Sequence, residues 1–504
     1  MTYTIEKVTT LIGARRYGDK DTNIGFILTD SRSLCFPEET LFFALKSERN
    51  DGHNYIPELY RRGVRNFVVT NVPKGYASDY PEANFLKVVN TLEALQRLAE
   101  RHRDEFNIPI VGITGSNGKT MVKEWLHQLL SPNMFVTRSP RSYNSQIGVP
   151  LSVWLMNEQT EVGVFEAGIS QPGEMLALRD IIQPTIAVLT YLGSAHQENF
   201  ESLEAKCREK IILFHDAETI VYNGDDEIVA RVVGEYHDYK GEKLYWSLKD
   251  AAAPFYVKNI EKKGNLSIIT YIYKGEEDSY SLPFIDEASV TNSIIAAVVS
   301  RKLGLTAEEV DKRMSLLEPV AMRLEVKEGQ HGCTLINDSY NSDINSLDIA
   351  LDFMSRRPDH KGRRHTLILS DIFQSGENPK DLYKEVSDLC RKRGVVKFIG
   401  VGPQLYEQSD EIQISEKFFF RNIEDFIKSE VFASLRDEVI LLKGARQFGF
   451  DQLTELLVKK VHETTLEVNL NAVVANLNYY RSFMKPETKL VCMIKADGYG
   501  AGAV

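Results

Sequence analysis

The sequence predicts an α/β protein of several domains, organised around a central, mostly parallel P-loop sheet. Strand-like and helix-like segments alternate from about residue 106 to 316, the pattern of a parallel sheet covered by helices on both faces. One apolar, β-branched run, IPIVGIT, leads straight into a glycine loop, GSNGKT. After the loop, Val122, Trp125, Leu126, Leu129 and Leu130 recur at the spacing of an amphipathic helix.

Strand, glycine loop and helix N-terminus together make an anion cradle. The N–H groups of Gly115, Ser116, Asn117 and Gly118 would converge on a phosphate, aided by the helix dipole. Lys119 would reach the terminal phosphates and the Thr120 hydroxyl would hold Mg²⁺. The common spacing G-x-x-x-x-G-K-[ST] would place its first glycine where Ile113 stands, so this loop is a shorter G-x-x-G-K-T. The plain alternative is a glycine turn with a solvated lysine.

Two further strands aim at the same edge. VGVFEAG ends at Glu166, and TIAVLTYLGSAH reaches His196. Ligands of open α/β sheets bind beyond the carboxyl ends of the strands. Lys119, Thr120, Glu166 and His196 are therefore expected to converge, with Thr120, Glu166 and His196 as metal-site residues. His196 is the less comfortable of these, because Mg²⁺ prefers oxygen. Singly, such residues are usually solvated loop positions.

Residues 200–216 predict a helix with the apolar stripe Leu203, Cys207, Ile211 and Phe214. Lys206 and Lys210 lie one turn apart on it, and their plain reading is an exposed, charge-paired face. Residues 253–285 predict an antiparallel excursion, and ASVTNSIIAAVVSRKLG a helix opening near Asn292.

The 504 residues call for three or four domains. A net charge of −11 without a long basic run argues against nucleic acid, though not against a nucleotide at a local positive site. Five scattered cysteines without a C-x-x-C pair suit reduced thiols. The N-terminus lacks a signal-peptide stretch, and no run approaches the length of a membrane span, so a cytoplasmic protein without membrane insertion is expected.

Residues 1–105 form a first unit with a buried strand at Leu41–Leu45, a turn at Asn50–His53, a helix at IPELYRRG and a strand at VRNFVVT. Ser31 and Arg32 read as a surface turn that could grip a phosphate. A third unit, 317–460, carries strands ending at Asn337-Asp338 and at HTLILSD, VVKFIGV and EVILLKGA. Asp338, Asn341 and Lys443 sit at its strand ends and could serve substrate or nucleotide. Residues 461–504 change character: a short strand, a helix from Leu470 to Phe483, and an apolar strand, KLVCMIKA.

Residues 1 to about 460 resemble the Mur ligase family, the ATP-dependent amide-forming enzymes of peptidoglycan synthesis. The family's glycine loop is the shorter G-[TS]-[NK]-G-K-[TS]. Asp30-Ser31-Arg32, the LFFAL strand and Asp51-Gly52-His53 look like its uridine-nucleotide-binding domain, with Lys46-Ser47 departing where a glycine is usual. Tyr143–Leu151 looks like the N-x-x-I-G-V-P-L segment of the MurF branch. Asp338–Asp343 is similar to that branch's D-x-Y-N-A-N-P, with Asp343 and Ile344 departing at its end. No D-N-P-[RA] motif of the MurE branch is present, which makes MurF the closer match.

The resemblance implies a three-domain architecture, ATP and Mg²⁺ as cofactors, and UDP-MurNAc-tripeptide and D-Ala-D-Ala as substrates. It implies Glu166 and His196 at the metal, Asn292 against adenine, and Arg323 and Asp338 on ATP. Ser31, Arg32, Asn144, Asn341 and Lys443 would lie on the substrate side. The family's carbamylated lysine falls on Lys210 by spacing from His196, with Lys206 the alternative. The reaction implied passes the γ-phosphoryl group of ATP to a carboxylate and lets an amine attack the acyl phosphate. Alternatives are another ligase of this fold, MurE-like or folylpolyglutamate-synthase-like, or an ATPase that makes no ligated product.

The tail has its own resemblance. Ile494–Gly502, IKADGYGAG, looks like the start of an alanine racemase, with Ala501 in place of the usual histidine. Lys495 would be the lysine that binds pyridoxal phosphate (PLP) in the complete fusion. The implied arrangement is a ligase followed by the truncated start of a racemase barrel, and no racemisation is expected of these residues.

Overall fold

The computed structural model describes residues 2–47, 50–193, 197–237, 239–320, 324–339, 343–356, 362–372, 378–445, 448–459, 470–481, 483–484 and 488–491. The chain divides into two compact units, residues 1–98 with 461–504, and residues 99–460.

In the first unit β1 (Tyr3–Thr4) pairs with β3 (Asn23–Ile24), and β2 (Arg15–Tyr17), β4 (Phe26–Leu28), β5 (Thr40–Phe43), β6 (Asn66–Val69) and β7 (Asn84–Lys87) form a sheet in the order 2-7-6-5-4. β5 and β6 are wholly buried, which explains their unbroken apolar runs. The Asp51–His53 turn opens a 3₁₀ helix, Gly52–Tyr55. His53 Nδ1 lies 2.6 Å from Asp51, and His53 Nε2 accepts from the Thr70 N–H at 3.1 Å, so both ring nitrogens serve the fold. In the tail the helix runs Leu470–Arg481, two residues short of Phe483. Residues 489–491, the described part of the expected strand KLVCMIKA, form no strand, and Leu490 and Val491 are exposed. Lys495 lies outside the described residues.

The second unit contains two sheets. The larger comprises β8 (Ile110–Thr114), β9 (Val136–Arg138), β10 (Val162–Glu166), β11 (Ile186–Leu189), β12 (Thr219–Asn223), β13 (Glu242–Ser247), β14 (Phe255–Lys263), β15 (Leu266–Tyr273) and β16 (Glu276–Leu282). Their order is 16-15-14-13-12-11-8-10-9. β9 to β14 and β8 are mutually parallel, and the 253–285 region is the antiparallel edge β14–β16. The chain winds one way from β8 to β10 and β9, and the other way to β11, so the crevice of this doubly wound sheet opens at the end of β8. One face packs on the helix Lys119–Leu130, whose expected stripe of Val122, Trp125, Leu126, Leu129 and Leu130 is fully buried. The Trp125 indole also donates to the Glu318 carbonyl at 3.1 Å and stacks on Phe284.

The smaller sheet comprises β17 (Glu325–Glu328), β18 (Thr334–Asp338), β19 (Arg364–Ser370), β20 (Lys397–Val401), β21 (Glu416–Phe420) and β22 (Glu438–Lys443), in the order 17-18-22-19-20-21. Only β17 is antiparallel, and the other strands end on one edge. Two helix expectations change. The helix from Leu203 stops at Lys210 and continues as a 3₁₀ turn, Ile211–Phe214. The helix bearing Asn292 opens at Asp286, whose carboxylate caps the Ser289 N–H at 2.8 Å, so Asn292 lies inside it and is buried.

Candidate active site

The glycine loop is held by the end of β11. The Ser116 N–H donates to the Tyr191 carbonyl at 2.6 Å, and the Ser116 hydroxyl to the Gly193 carbonyl at 3.0 Å. The Thr190 hydroxyl donates to Asn117 O at 2.5 Å and Thr114 O at 3.2 Å. Two loop positions admit only glycine. Gly115 has φ +144°, and a Cβ there would sit 2.1 Å from Thr190 Oγ1. Gly118 has φ +88° and would meet Asn292 Oδ1 at 2.4 Å. Asn292, on a distant helix, thus closes on the loop itself.

Lys119 folds back over the cradle, donating to the Gly115 carbonyl at 2.7 Å and the Ser116 carbonyl at 3.3 Å. Those carbonyls are weaker acceptors for an ammonium than phosphate oxygens would be. Beside it, Thr120 Oγ1 donates to Glu166 Oε2 at 3.1 Å and lies 3.2 Å from Ser142 Oγ. Asn144 Nδ2 reaches the same oxygen at 3.5 Å. Glu166 is fully buried at the end of β10, adjacent to β8 in the sheet.

Sequence reasoning missed Lys123. It is fully buried one turn below Lys119, with Nζ 3.1 Å from Glu166 Oε1 and 2.9 Å from Glu124 Oε1. It also donates to the Ser139 carbonyl at 2.8 Å and to the Arg141 carbonyl. Two of its three protons therefore go to carbonyls, and Glu166 Oε1 is left with an ion pair but no aligned hydrogen bond. The signal in the sequence was a lysine on the inward side of the apolar stripe.

Lys206 and Lys210 do not form an exposed face. Both are buried, and both side chains end on backbone carbonyls at the glycine loop or just after β11. Lys206 Nζ donates to the Gly193 carbonyl at 2.5 Å, and Lys210 Nζ to the Gly115 carbonyl at 3.2 Å. Burial pulls the Lys206 amine down to about 8, with Asp343 opposing and Lys119 assisting. Burial, then Lys119 and Lys206, holds the Lys210 amine well below the ordinary lysine range. Cys207 between them is pushed up to about 12 by burial, which makes it an inert thiol.

In the smaller sheet Lys443 and Asp338 face each other across β22 and β18, both buried, with Nζ 2.6 Å from Oδ2. Each neutralises the other, since neither charge could be buried alone. In the first unit, Arg32 is exposed and clasps Asp30 at 2.7 Å, while the Ser31 carbonyl accepts from Arg62 at 2.8 Å. His196, Arg323 and Asn341 lie outside the described residues. A polar cavity of about 540 Å³ lies at the opposite end of the smaller sheet, lined by Arg363, Arg364 and Arg393 among others. Arg364 is taken by Glu416 and Glu438 and Arg393 by Asp348 and Asp352, so that cavity is no substitute for the loop.

The residues present fit Mg²⁺ and a nucleotide. Among the described residues no three His, Cys, Asp or Glu side chains cluster as a metal cage. Thr120 Oγ1 and Glu166 Oε2 stand 3.1 Å apart beside the loop, and Mg²⁺ shared with a nucleotide takes one or two protein oxygens alongside phosphates and water. Thr114 Oγ1, Asn117 Nδ2 and Glu166 Oε1 are buried without hydrogen-bond partners, all at this one crevice. Also among the described residues, no helix is long and apolar enough to cross a membrane.

Residues 113–300 match the family model "Mur ligase middle domain". A UDP-N-acetylmuramoyl-tripeptide--D-alanyl-D-alanine ligase of Bacillus subtilis (strain 168) is 26% identical over 465 residues, covering 87% of this chain and 94% of its own length. A crystal structure of MurF from Acinetobacter baumannii superposes with a TM-score of 0.77 at 21% identity, covering 90% of this chain and 99% of that one. The MurF ligase of Thermotoga maritima, solved in complex with ADP, does so with a TM-score of 0.71 at 22% identity, over 88% of this chain and 97% of that one. The chain therefore has the α/β Mur ligase fold, and its glycine loop lies within the stretch that matches the Mur ligase middle domain.

Proposed function

We propose that this chain is an ATP-dependent ligase of MurF type, joining D-alanyl-D-alanine to UDP-MurNAc-tripeptide in peptidoglycan precursor synthesis. The observation that carries the reading is the convergence of the G-x-x-G-K-T loop, Glu166 and two buried lysines at the switch point of a Mur-type sheet. The relatives named for this reaction align over most of the chain.

The chemistry activates a carboxylate toward an amine through an acyl phosphate. Most of the work is bringing anionic oxygens together and neutralising them. The loop N–H groups and Lys119 would hold the β- and γ-phosphates, with Lys119 exchanging its loop carbonyls for phosphate oxygens. Thr120 and Glu166, with His196, would hold Mg²⁺, which when bound draws charge from the phosphate oxygens. Asn292, closed against Gly118, would lie on the nucleotide side, with Arg323 and Asp338 reaching ATP from the smaller sheet. Ser31, Arg32, Asn144, Asn341 and Lys443 remain assigned to the substrates, Lys443 through its hold on Asp338. The domains read as 1–105, 106–316 and 317–460.

Of the two lysines we place the carbamate on Lys210, with Lys206 the alternative. Carbamylation needs a neutral amine, and burial, with Lys119 and Lys206 beside it, holds the Lys210 amine well below the ordinary lysine range. Lys210 Nζ reaches a carbonyl of the glycine loop itself, that of Gly115, whereas Lys206 bonds Gly193 after β11. Residues 461–504 read as the N-terminal fragment of a racemase-like domain, supported by the IKADGYGAG resemblance alone. In that resemblance Lys495 would be the PLP-binding lysine.

The deciding experiment is phosphate release with ATP, Mg²⁺ and UDP-MurNAc-tripeptide, comparing D-Ala-D-Ala with diamino acids and glutamate. Turnover dependent on D-Ala-D-Ala supports the reading. Preference for a diamino acid or glutamate, or hydrolysis without any acceptor, overturns it.

A further inference from the structure

We propose that Lys123 is a positioning residue for this site: a buried ammonium that orients Glu166 and the 139–144 segment around Thr120. The inference rests on the nucleotide-site reading above and adds a residue that the loop motif does not include.

Lys123 lies four residues after Lys119 on the same helix, yet the two ammonium groups end on different parts of the chain. Lys119 faces the cradle, and Lys123 faces inward. Its Nζ touches three separate pieces of chain: Glu166 at the end of β10, the Ser139 and Arg141 carbonyls after β9, and Glu124 on its own helix. Two of these pieces deliver something to Thr120. Glu166 offers Oε2 to Thr120 at 3.1 Å while its Oε1 faces Lys123. One carboxylate oxygen is thereby anchored and the other is aimed. The 139–144 segment delivers Ser142 Oγ to within 3.2 Å of Thr120 and Asn144 to the same Glu166 oxygen.

That segment turns at Arg141, a non-glycine residue at φ +50°. Such a backbone persists only where its surroundings hold it, and the Lys123 hydrogen bond to the Arg141 carbonyl does so. The Glu166 N–H, received by Ser139 Oγ at 3.1 Å, ties the same two pieces a second time. A buried lysine serving only helix or sheet stability would not need to collect the two strand ends that flank the Thr120 hydroxyl.

The test compares the wild-type chain with Lys123→Met by calorimetric titration of ADP, with and without Mg²⁺, alongside kcat and KM for ligation. Lys123→Met is expected to bind ADP without Mg²⁺ within about threefold of wild type, because the loop amides and Lys119 are untouched. It is expected to lose at least tenfold of the gain in ADP affinity that Mg²⁺ confers. kcat should fall at least tenfold with KM for the tripeptide nearly unchanged. Should Lys123→Met fail to fold, Lys123→Gln carries the same expectations. An unchanged Mg²⁺-dependent gain in a folded variant overturns the role of Lys123 alone. A wild-type chain with no Mg²⁺-dependent ADP binding overturns this proposal together with the reading on which it rests.

Discussion

Replacing Gly115 by alanine is the sharpest probe of the loop. The φ of +144° lies where only glycine is comfortable, and an L-residue held there costs about 1–3 kcal/mol. The new Cβ would stand 2.1 Å from Thr190 Oγ1 and 3.1 Å from the Tyr191 nitrogen. The nearest relief is to turn the Thr190 hydroxyl away, which gives up its bonds to the Thr114 and Asn117 carbonyls at about 0.5–1.5 kcal/mol each. The sum, about 2–6 kcal/mol, falls on the conformation that presents the loop amides. At 1.4 kcal/mol per decade, even its lower end corresponds to ADP binding about 30-fold weaker. Calorimetric titration with ADP measures this directly. Gly173→Ala is the control, since its φ is +85° but nothing lies within 4 Å of its Cβ; it carries backbone strain without a clash. Thr190→Ala in the Gly115→Ala background removes the clashing oxygen together with the same two hydrogen bonds, so it should add little to the loss already caused by Gly115→Ala. ADP binding by Gly115→Ala within threefold of wild type would refute the account of the loop.

Lys119→Ala should lower kcat/KM for ligation by at least ~100-fold, the magnitude of losing one electrostatic donor at a transition state, and steady-state phosphate release measures it. Lys443→Met leaves the Asp338 carboxylate buried without its cation and should destabilise the fold by about 3–5 kcal/mol in a denaturant titration. Lys443→Met with Asp338→Leu should recover much of that, and a loss below 1 kcal/mol in the single variant would remove the pair from the account. Lys210→Ala should abolish ligation and respond to added short carboxylates; a silent Lys210→Ala together with an inactive Lys206→Ala moves the carbamate to Lys206. Uncarbamylated Lys206 also bears on stability. Its folded value of about 8 lies below the unfolded value near 10.4, so the unfolded chain binds more protons between these pH values. Stability therefore gains from this group as pH rises from about 8 to about 10.4, and Lys206→Met should remove that part of the rise in melting curves.

The elements that depend on neighbours in sequence were legible without coordinates. The glycine loop, its preceding strand, the stripe of Val122, Trp125, Leu126, Leu129 and Leu130 and the antiparallel 253–285 edge are encoded by spacing, and local backbone sterics and burial periodicity decide them. Glu166 could be placed at a strand end for the same reason. Tertiary structure alone decided which charges are buried and against what. Lys123 reads on paper as one more polar residue of a helix, and only the approach of β10 and the 139–141 turn makes it a junction. Lys206 and Lys210 look like a solvated face until their side chains meet backbone carbonyls at the glycine loop and just after β11. Asp338 and Lys443 are 105 residues apart in the chain and become partners only because β18 and β22 are adjacent and in register. A residue's periodicity says which side of its own helix or strand it occupies. The charge and carbonyl it meets there belong to another part of the chain, so the electrostatics of this site were set by the fold.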